Sequence, residues 1–313
     1  MARPDTSRDR SLPHLKALRA WVLKAFPRDP VHGVDYLTPV GDPGLFGPGS
    51  VTWRIHADFP GMLSGGMCAL MLQTLHPRAL AAIWDFSGFR GDLVGRLRRT
   101  TAFVGGTSYA PRDAALRMIE RVRSIHAGIR GTTADGQPYA ADDPELLVWV
   151  HVTEAFSFLQ GYRRYGPIPV PRWVADAYYD EVRRIAEALG AREVPASEHA
   201  VMAYLERMRG QLRYDERSRE VLRVLQAIRL PVPMAGVSRE LFLHAGAALL
   251  PSWAQSMLHR SKGMRVQDRV AAGSLRLLAP AFRAALTEGV ATQSCRRMGL
   301  DPAMLRQFPS RAA

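Results

Sequence analysis

The chain has 313 residues, and 47% of them are hydrophobic, which is enough to bury a large core. Lysine and arginine number 42 against 29 acidic residues, so the net charge is +13, and nearly all the basic residues are arginine. These arginines are spread through predicted helices, often beside acidic residues, and therefore do not predict a dedicated nucleic-acid-binding protein. The two cysteines, Cys68 and Cys295, lie far apart in sequence, which argues against a disulfide framework or a zinc site and favours a reducing compartment.

The N-terminal region predicts a protein without a secretion signal. Residues 1–16 are polar and charged and lack the apolar core of a signal peptide, so we predict a cytoplasmic location. Two later stretches are strongly apolar. The first, 62–75, is too short to cross a bilayer, and the second, 241–258, contains His244 and Pro251 and predicts a buried helix pair. Peripheral membrane contact stays open.

Hydrophobic periodicity predicts helices along almost the whole chain. In order, the predicted elements are a basic amphipathic helix (12–26), a Pro/Gly-rich connector (27–49), a short strand (51–55), helices over 62–75, 78–85, 93–104 and 111–130, a polar loop (132–142), further helices over 144–164, 170–189, 197–211, 217–225, 237–258 and 266–286, and a short tail helix. The segment 62–75 is apolar on every side and predicts a central helix, in which Gly65 and Gly66 would let another helix or a flat ligand approach closely. Asp92 and Asp143 are predicted N-caps, and Gly105-Gly106 predicts a helix end.

This pattern predicts an all-α protein folded as one compact unit. Strands are few, no internal repeat is present, and no linker-like stretch divides the helical region. We place an N-terminal helix and connector at residues 1–50, the main helical domain at 51–290 and a C-terminal tail at 291–313.

One histidine, His126, falls inside the apolar face of its predicted helix. Apolar residues recur there at the spacing of a helix that buries one face: Ala115, Met118, Ile119, Val122, Ile125 and Ile129. A histidine that points into a core needs a hydrogen bond, a charge or a metal. The position fits a non-covalent haem pocket as well as an ordinary core histidine, and spacing alone favours the ordinary histidine, because buried polar groups usually find hydrogen-bond partners.

Three polar residues of the predicted helix 93–104 share one face. Arg96, Arg99 and Thr100 are joined on that face by Phe103, through spacings of three, four and seven residues. Two guanidinium groups beside a hydroxyl would form an anion-binding or polar wall inside a cavity. The alternative is a solvated basic face.

Two further histidines are candidates. His151 and Glu154 lie on one stripe of the predicted helix 144–164, but the carboxylates that a di-metal bundle requires are absent, so His151 is alternatively a core histidine held by Glu154 or by a backbone group. His76 lies at a helix break before Pro77, where it either caps exposed carbonyl groups or lines a pocket.

Five segments taken in order resemble one protein family. They are 53–58, 74–77, 95–100, 122–126 and 139–151. Together they resemble the DUF2236 family, also called the MpaB/rubber-oxygenase catalytic domain family, which includes the latex clearing proteins. The resemblance runs from about residue 50 to 165 and continues more weakly to about 260.

The resemblance implies a non-covalent b-type haem in an all-α, globin-like core with additional helices, so that 51–290 would be a haem-binding domain. It implies that His126 is the iron ligand, that Arg96 and Thr100 belong to an Arg-x-x-x-Thr element near the haem, and that His151 is a second recurring histidine near it. We add His76 as a possible pocket residue on the cofactor side. Rubber-cleaving members use O2 to split an isoprenoid C=C bond, and the haem activates the oxygen.

The sequence departs from the rubber-cleaving members at two positions and in its N-terminus. Those members carry a lysine immediately before the threonine, where this chain has Arg99, and an arginine cannot replace a lysine that coordinates or releases iron. No glutamate matches their proposed catalytic base, and Asp85 is only a nearby carboxylate. The absence of a secretion signal disfavours an extracellular polymer as substrate.

The sequence therefore predicts a haem b-dependent oxygenase or oxidoreductase that acts on a small hydrophobic, isoprenoid or lipid-like substrate with O2 or peroxide. Arg96, Arg99 and Thr100 are the predicted catalytic wall, and His126 is the predicted metal ligand. Two alternatives stay open: a non-enzymatic haem or gas-binding globin-like protein, and a basic helical module without haem that binds nucleic acid or membrane. The oligomeric state is not predicted.

Overall fold

Nearly all regular structure in the computed structural model is helical, and the model describes residues 13–25, 34–228 and 235–310. The helices within these residues are α1 (Pro13–Ala25), α2 (Val51–His56), α3 (Phe59–Gln73), α4 (Pro77–Phe86), α5 (Leu93–Tyr109), α6 (Arg112–Ala127), α7 (Pro144–Tyr165), α8 (Arg172–Leu189), α9 (Glu198–Met208), α10 (Glu216–Gln226), α11 (Ala235–Ala247), α12 (Ser252–Met257), α13 (Lys262–Ala285) and α14 (Val290–Arg297). One antiparallel hairpin, β1 (Arg130–Thr132) with β2 (Pro138–Ala140), and two 3₁₀ helices, Arg209–Gln211 and Pro302–Arg306, complete the secondary structure of the described residues. The predicted all-α, single-domain fold is confirmed.

Helix α3 lies at the centre of the fold, between α7 and α11. Its close approach to α7 depends on small residues, because a Cβ on Gly161 would overlap the carbonyl oxygen of Gly61, and a Cβ on Gly65 would lie 2.7 Å from the carbonyl oxygen of Ser157. On the other side of α3, a Cβ on Gly246 of α11 would lie 2.7 Å from the carbonyl oxygen of Ser64. The partner that approaches Gly65 is therefore another helix rather than a flat ligand.

The predicted strand at 51–55 is wrong, because these residues form α2. Ser50 is the N-cap, and its hydroxyl accepts a hydrogen bond from the Trp53 backbone amide. The amides of Val51 and Thr52 donate to the Glu181 carboxylate at 3.0 and 2.8 Å. These bonds satisfy amide groups that a helix start leaves without partners, so the cap and a distant carboxylate outweigh the strand preference of a β-branched and aromatic run.

Helices α5 and α6 form a helical hairpin that differs from the prediction at both ends. α5 continues through Gly105 and Gly106 to Tyr109, and Gly106 leaves room for the Met118 side chain of α6. The predicted end at the glycine pair is thus wrong, because the small residues serve interhelical packing. α6 ends at Ala127, and β1 begins three residues later, opening a hairpin whose turn contains Gly136 at φ +84°.

The segment 34–50, which precedes α2, packs against the C-terminal helix α14. The buried guanidinium of Arg297 in α14 donates to the carbonyl oxygens of Tyr36 and Asp42 at 3.0 and 2.7 Å. Cys295 packs with Trp53 and Tyr109 in a small cluster. The predicted boundaries at residues 50 and 290 stay predictions, and of the two flanking segments, residues 1–12, 26–33 and 311–313 lie outside the described residues.

The apolar stretch 241–258 forms a helix pair, as predicted. α11 ends at Ala247 and α12 begins after Pro251. Among the described helices, none has both the length and the apolar character needed to cross a membrane.

Candidate functional site

The candidate residues lie where α5 and α6 face α7. α2 packs against both α5 and α7, and α8 packs against both α6 and α7. Among the described residues, α7 itself makes few or no close backbone contacts with α5 or α6, so α2 and α8 span the distance between the two sides. We call the region between these helices the interhelical space and assign to it, by the helices that carry them, Arg96 of α5, His126 of α6, His151 and Glu154 of α7 and Tyr178 of α8.

His126 is half-buried in the last turn of α6 and lacks a hydrogen-bond partner. Its Nδ1 atom is fully buried, and within the described part of the chain no group accepts from it or donates to it. Burial lowers the pKa of His126, and the Asp142 carboxylate opposes this only in part, so the imidazole is neutral near pH 7. The neighbouring Ile125 is 53% exposed, so its predicted place in the buried face is wrong.

His151 and Glu154 lie one helical turn apart on α7 and occupy the other side of the interhelical space. Burial lowers the pKa of His151 to about 4 and raises the pKa of Glu154 to about 7. The nearby Gln73 amide, which donates to the Thr153 hydroxyl at 3.4 Å, and the positive charge of Arg96 oppose the rise in the pKa of Glu154. Glu154 does not hold His151, since these two side chains form no hydrogen bond with each other in the structure, and the predicted pairing is therefore wrong.

The predicted wall of Arg96, Arg99 and Thr100 is not assembled. Arg96 is half-buried and donates to the Ser87 hydroxyl at 2.9 Å. Arg99 is 55% exposed and turns back to Asp92, the N-cap of its own helix, at 3.4 Å. Thr100 is exposed, and its hydroxyl donates to the Arg96 carbonyl oxygen at 3.2 Å, as threonine often does within a helix. Only Arg96 therefore points into the fold.

His76 is the N-cap of α4. Its Nδ1 atom accepts from the Ala79 amide at 3.4 Å, and its buried ring lies against Trp149, with ring centroids 5.6 Å apart. Burial lowers the pKa of His76 to about 4, so the neutral ring is the state that caps. The predicted capping of exposed carbonyl groups is wrong, because His76 accepts from an amide of the following helix instead.

A buried chain of polar groups beside the interhelical space was missed by sequence reasoning. His56 Nε2 and the Tyr178 hydroxyl are 2.9 Å apart, and His56 Nδ1 and the Ser108 hydroxyl are 2.7 Å apart. Because the Ser108 hydroxyl donates to the Val104 carbonyl oxygen, it accepts from His56 Nδ1, which leaves Nε2 to accept from Tyr178. Burial lowers the pKa of His56 to about 3 and keeps the ring neutral.

A cleft opens beside Arg96, between α5 and α10. Its inner part has a volume of about 20 Å³, room for about one water molecule, and is lined by Leu70, Gln73, Thr74, Leu80, Ile83, Phe89, Leu93, Arg96, Val221 and Leu225. Its outer part has a volume of about 470 Å³ and is lined by Arg90, Gly91, Asp92, Leu93, Val94, Val224, Ala227 and Ile228. The two parts share Leu93, and we call them together the α5/α10 cleft.

The donor atoms available for a metal are few. Across the described residues, no three His, Cys, Asp or Glu side chains come together as a metal-binding group. A site built wholly from protein ligands would need such a group, whereas a haem iron takes one or two ligands from the protein.

Residues 53–311 match the model of a family described as the catalytic domain of ER-bound oxygenase mpaB/B' and rubber oxygenase. No curated protein and no solved structure matches the chain. The matched range contains every helix from α3 to α14 and all the candidate residues of the interhelical space. The chain therefore belongs to the MpaB/rubber-oxygenase catalytic domain family, which is a family of oxygenases.

Proposed function

We propose that this protein is a haem b-dependent oxygenase that acts on a small hydrophobic substrate with O2 or peroxide. Membership of an oxygenase family supports the reaction class. The observation that carries the haem assignment is the buried Nδ1 atom of His126, which has no hydrogen-bond partner among the described residues. Burying a polar atom without a partner costs free energy, and an iron bound to Nδ1 itself would remove that cost.

The residues of the interhelical space fit a haem. His126 is neutral, as an imidazole must be to bind a metal. Helix α2 packs against α5 and α7, and helix α8 packs against α6 and α7, whereas α5 and α6 do not themselves pack closely against α7. This arrangement suits a flat group inserted between α7 and the α5–α6 pair. When bound, the haem would supply the activation of oxygen, and the protein would supply the ligand, the polarity of the pocket and the position of the substrate.

The proposed roles follow from where each side chain lies. His126 binds the iron through a ring nitrogen, and His151 faces the same space from α7 as a neutral ring. Glu154, whose pKa is raised to about 7, holds or releases a proton close to neutral pH. Arg96 is the member of the predicted wall that we retain in the site. Arg99 and Thr100 are exposed, so we propose no contact with the reacting atoms for them.

The test begins with protein expressed in the presence of a haem precursor. We expect a Soret band and a pyridine haemochrome of b-type haem in the wild type and in His199→Ala, which removes an exposed histidine of α9. We expect His126→Ala to lose haem or to alter the spectrum strongly while its circular dichroism is unchanged. O2 uptake with a panel of isoprenoid and acyl compounds then tests turnover. Haem loss only in His126→Ala supports the ligand, and haem bound without any turnover contradicts the oxygenase assignment in favour of a haem-binding protein.

A further inference from the structure

We propose that the α5/α10 cleft binds a molecule with an apolar chain and a terminal carboxylate, and that Arg96 holds the carboxylate. The proposal rests on the proposed function in one respect, because it takes this molecule as the substrate class of the oxygenase. The substrate would therefore be amphipathic, with an apolar chain and a charged end, rather than wholly hydrophobic.

The cleft offers a route from the surface to the interhelical space. Its outer part lies between the start of α5 and the end of α10, and Leu93 stands where the outer and inner parts meet. The outer volume of about 470 Å³ is within the range of sites for small ligands, roughly 300–1,000 Å³. The inner end is lined by Gln73, whose amide donates to the Thr153 hydroxyl at 3.4 Å, next to Glu154 on α7. Because the inner part is small, the chain of the ligand would lie in the outer part and its carboxylate would enter the inner part to reach Arg96.

Arg96 is the charged residue in the inner lining, and its charge lacks a close counter-ion. Its one hydrogen bond goes to the Ser87 hydroxyl, and no carboxylate of the described residues lies within ion-pair distance of it. A guanidinium has five N–H donors, so most of those on Arg96 have no protein acceptor. Burial lowers the pKa of Arg96, and the charge of Arg99 lowers it further, whereas the attraction of Glu154 opposes both. An anion brought by a ligand would stabilise this cation.

The other polar groups of the cleft are already engaged. The Thr74 hydroxyl donates to the Met71 carbonyl oxygen at 2.8 Å. At the outer end, the Arg90 guanidinium lies 3.7 Å from the centre of the Trp84 ring, and Asp92 caps α5. In the inner part of the cleft, recognition of a charged ligand group therefore falls to Arg96, the one charged residue of that lining.

The ligand chemistry follows from the shape of the cation and from the lining. A planar guanidinium matches the two oxygens of a carboxylate through paired hydrogen bonds. The outer part, which has room for a hydrocarbon chain, is lined by aliphatic residues besides Arg90, Gly91 and Asp92: Leu93, Val94, Val224, Ala227 and Ile228. A carboxylate could come from a substrate or from a haem propionate, and the two sources are separable by experiment.

The test compares dodecanoate with 1-dodecanol, which has the same chain without the charge, by calorimetric titration of haem-free and haem-loaded protein at pH 8. We expect the wild type to bind dodecanoate roughly ten-fold or more tightly than the alcohol, as charge-assisted hydrogen bonds imply. Arg96→Gln should abolish this preference, and Arg96→Lys, which keeps the charge without the planar fork, should keep part of it. Arg223→Gln, on the exposed side of α10, should leave it unchanged. Leu93→Trp should weaken the binding of both compounds by filling the junction.

Several results would overturn the proposal. Equal affinities for acid and alcohol in the wild type, or an unchanged preference in a folded Arg96→Gln variant, would exclude a carboxylate site at Arg96. If haem loading abolished dodecanoate binding and Arg96→Gln weakened haem binding, the carboxylate would be a haem propionate and the substrate assignment would be wrong. A wild type that binds no haem would contradict the proposed function alone, because the preference for the acid is measured on haem-free protein as well.

Discussion

Replacing Glu154 by glutamine is expected to stabilise the protein above neutral pH and to change little below pH 4.5. Glu154 is half-buried between α3, α5 and α8, and Gln73, Arg96 and Tyr178 are polar groups near its carboxyl group. Burial disfavours its charged form more strongly than Gln73 and Arg96 favour it, so its pKa rises from 4.5 to about 7. Glutamine has nearly the same shape and carries no charge.

The size of the stability change follows from the shift in the pKa of Glu154. Each unit of pKa corresponds to about 1.4 kcal/mol, so ionising Glu154 in the folded state costs about 3 kcal/mol of the free energy of unfolding. The folded state holds this proton more tightly than the unfolded state does. The stabilisation that comes from this tighter proton binding is therefore complete below pH 4.5, and it is lost as the pH rises towards 7 and above.

The assay is urea unfolding of wild type and Glu154→Gln at pH 4.5 and pH 8, followed by circular dichroism. The difference between the two proteins isolates Glu154, because all other groups titrate in both. We expect Glu154→Gln to gain about 3 kcal/mol relative to the wild type between the two pH values. Glu206→Gln, at an exposed ion pair on α9, is the matched control and should change by less than about 1 kcal/mol. A gain no larger than that of the control would refute the buried position of Glu154.

Two further predictions concern the frame of the fold. Gly161→Val should destabilise the protein by about 3 kcal/mol or more, because the valine side chain would collide with the carbonyl oxygen of Gly61 at the α3–α7 crossing. Gly273→Val on α13 is the control and should destabilise the protein much less, because a Cβ there meets no atom within 4 Å. Asp268→Asn should lower the free energy of unfolding by roughly 3–5 kcal/mol, because the buried Arg260 would lose a carboxylate that it contacts through two nitrogens. Urea unfolding measures the losses for Gly161→Val and Asp268→Asn. A loss below about 1 kcal/mol for either variant would contradict the packing described.

Local signals in the sequence predicted the helices that position the site. Asp92 and Asp143 cap α5 and α7 as predicted, because an aspartate before an apolar periodic segment satisfies the first amides of a helix whatever surrounds it. The apolar character of 62–75 likewise predicted the central place of α3. The errors at α2 and at the glycine pair of α5 arise where a distant partner decides the outcome: Glu181 in one case and Met118 in the other.

The site was predicted less completely, because its polar groups meet across long stretches of chain. Periodicity places His126 and Arg96 on inward faces, and both lie there, at least in part. It does not reveal that Asp92 draws Arg99 outward. Gln73 and Tyr178 were not singled out, although a lone glutamine in an otherwise apolar helix was a usable signal. Tyr178 had no such signal, since its bond to His56 joins residues 122 positions apart.

The haem ligand is the central claim, and chemical rescue tests it most directly. We expect His126→Gly protein to lose the Soret band of the wild type, and added imidazole, which fills the cavity left by the side chain, to restore haem binding and a wild-type-like spectrum. His151→Gly should keep its haem without imidazole. A wild-type spectrum in His126→Gly without imidazole, or loss and rescue at His151 instead, would contradict the assignment of His126 as the iron ligand.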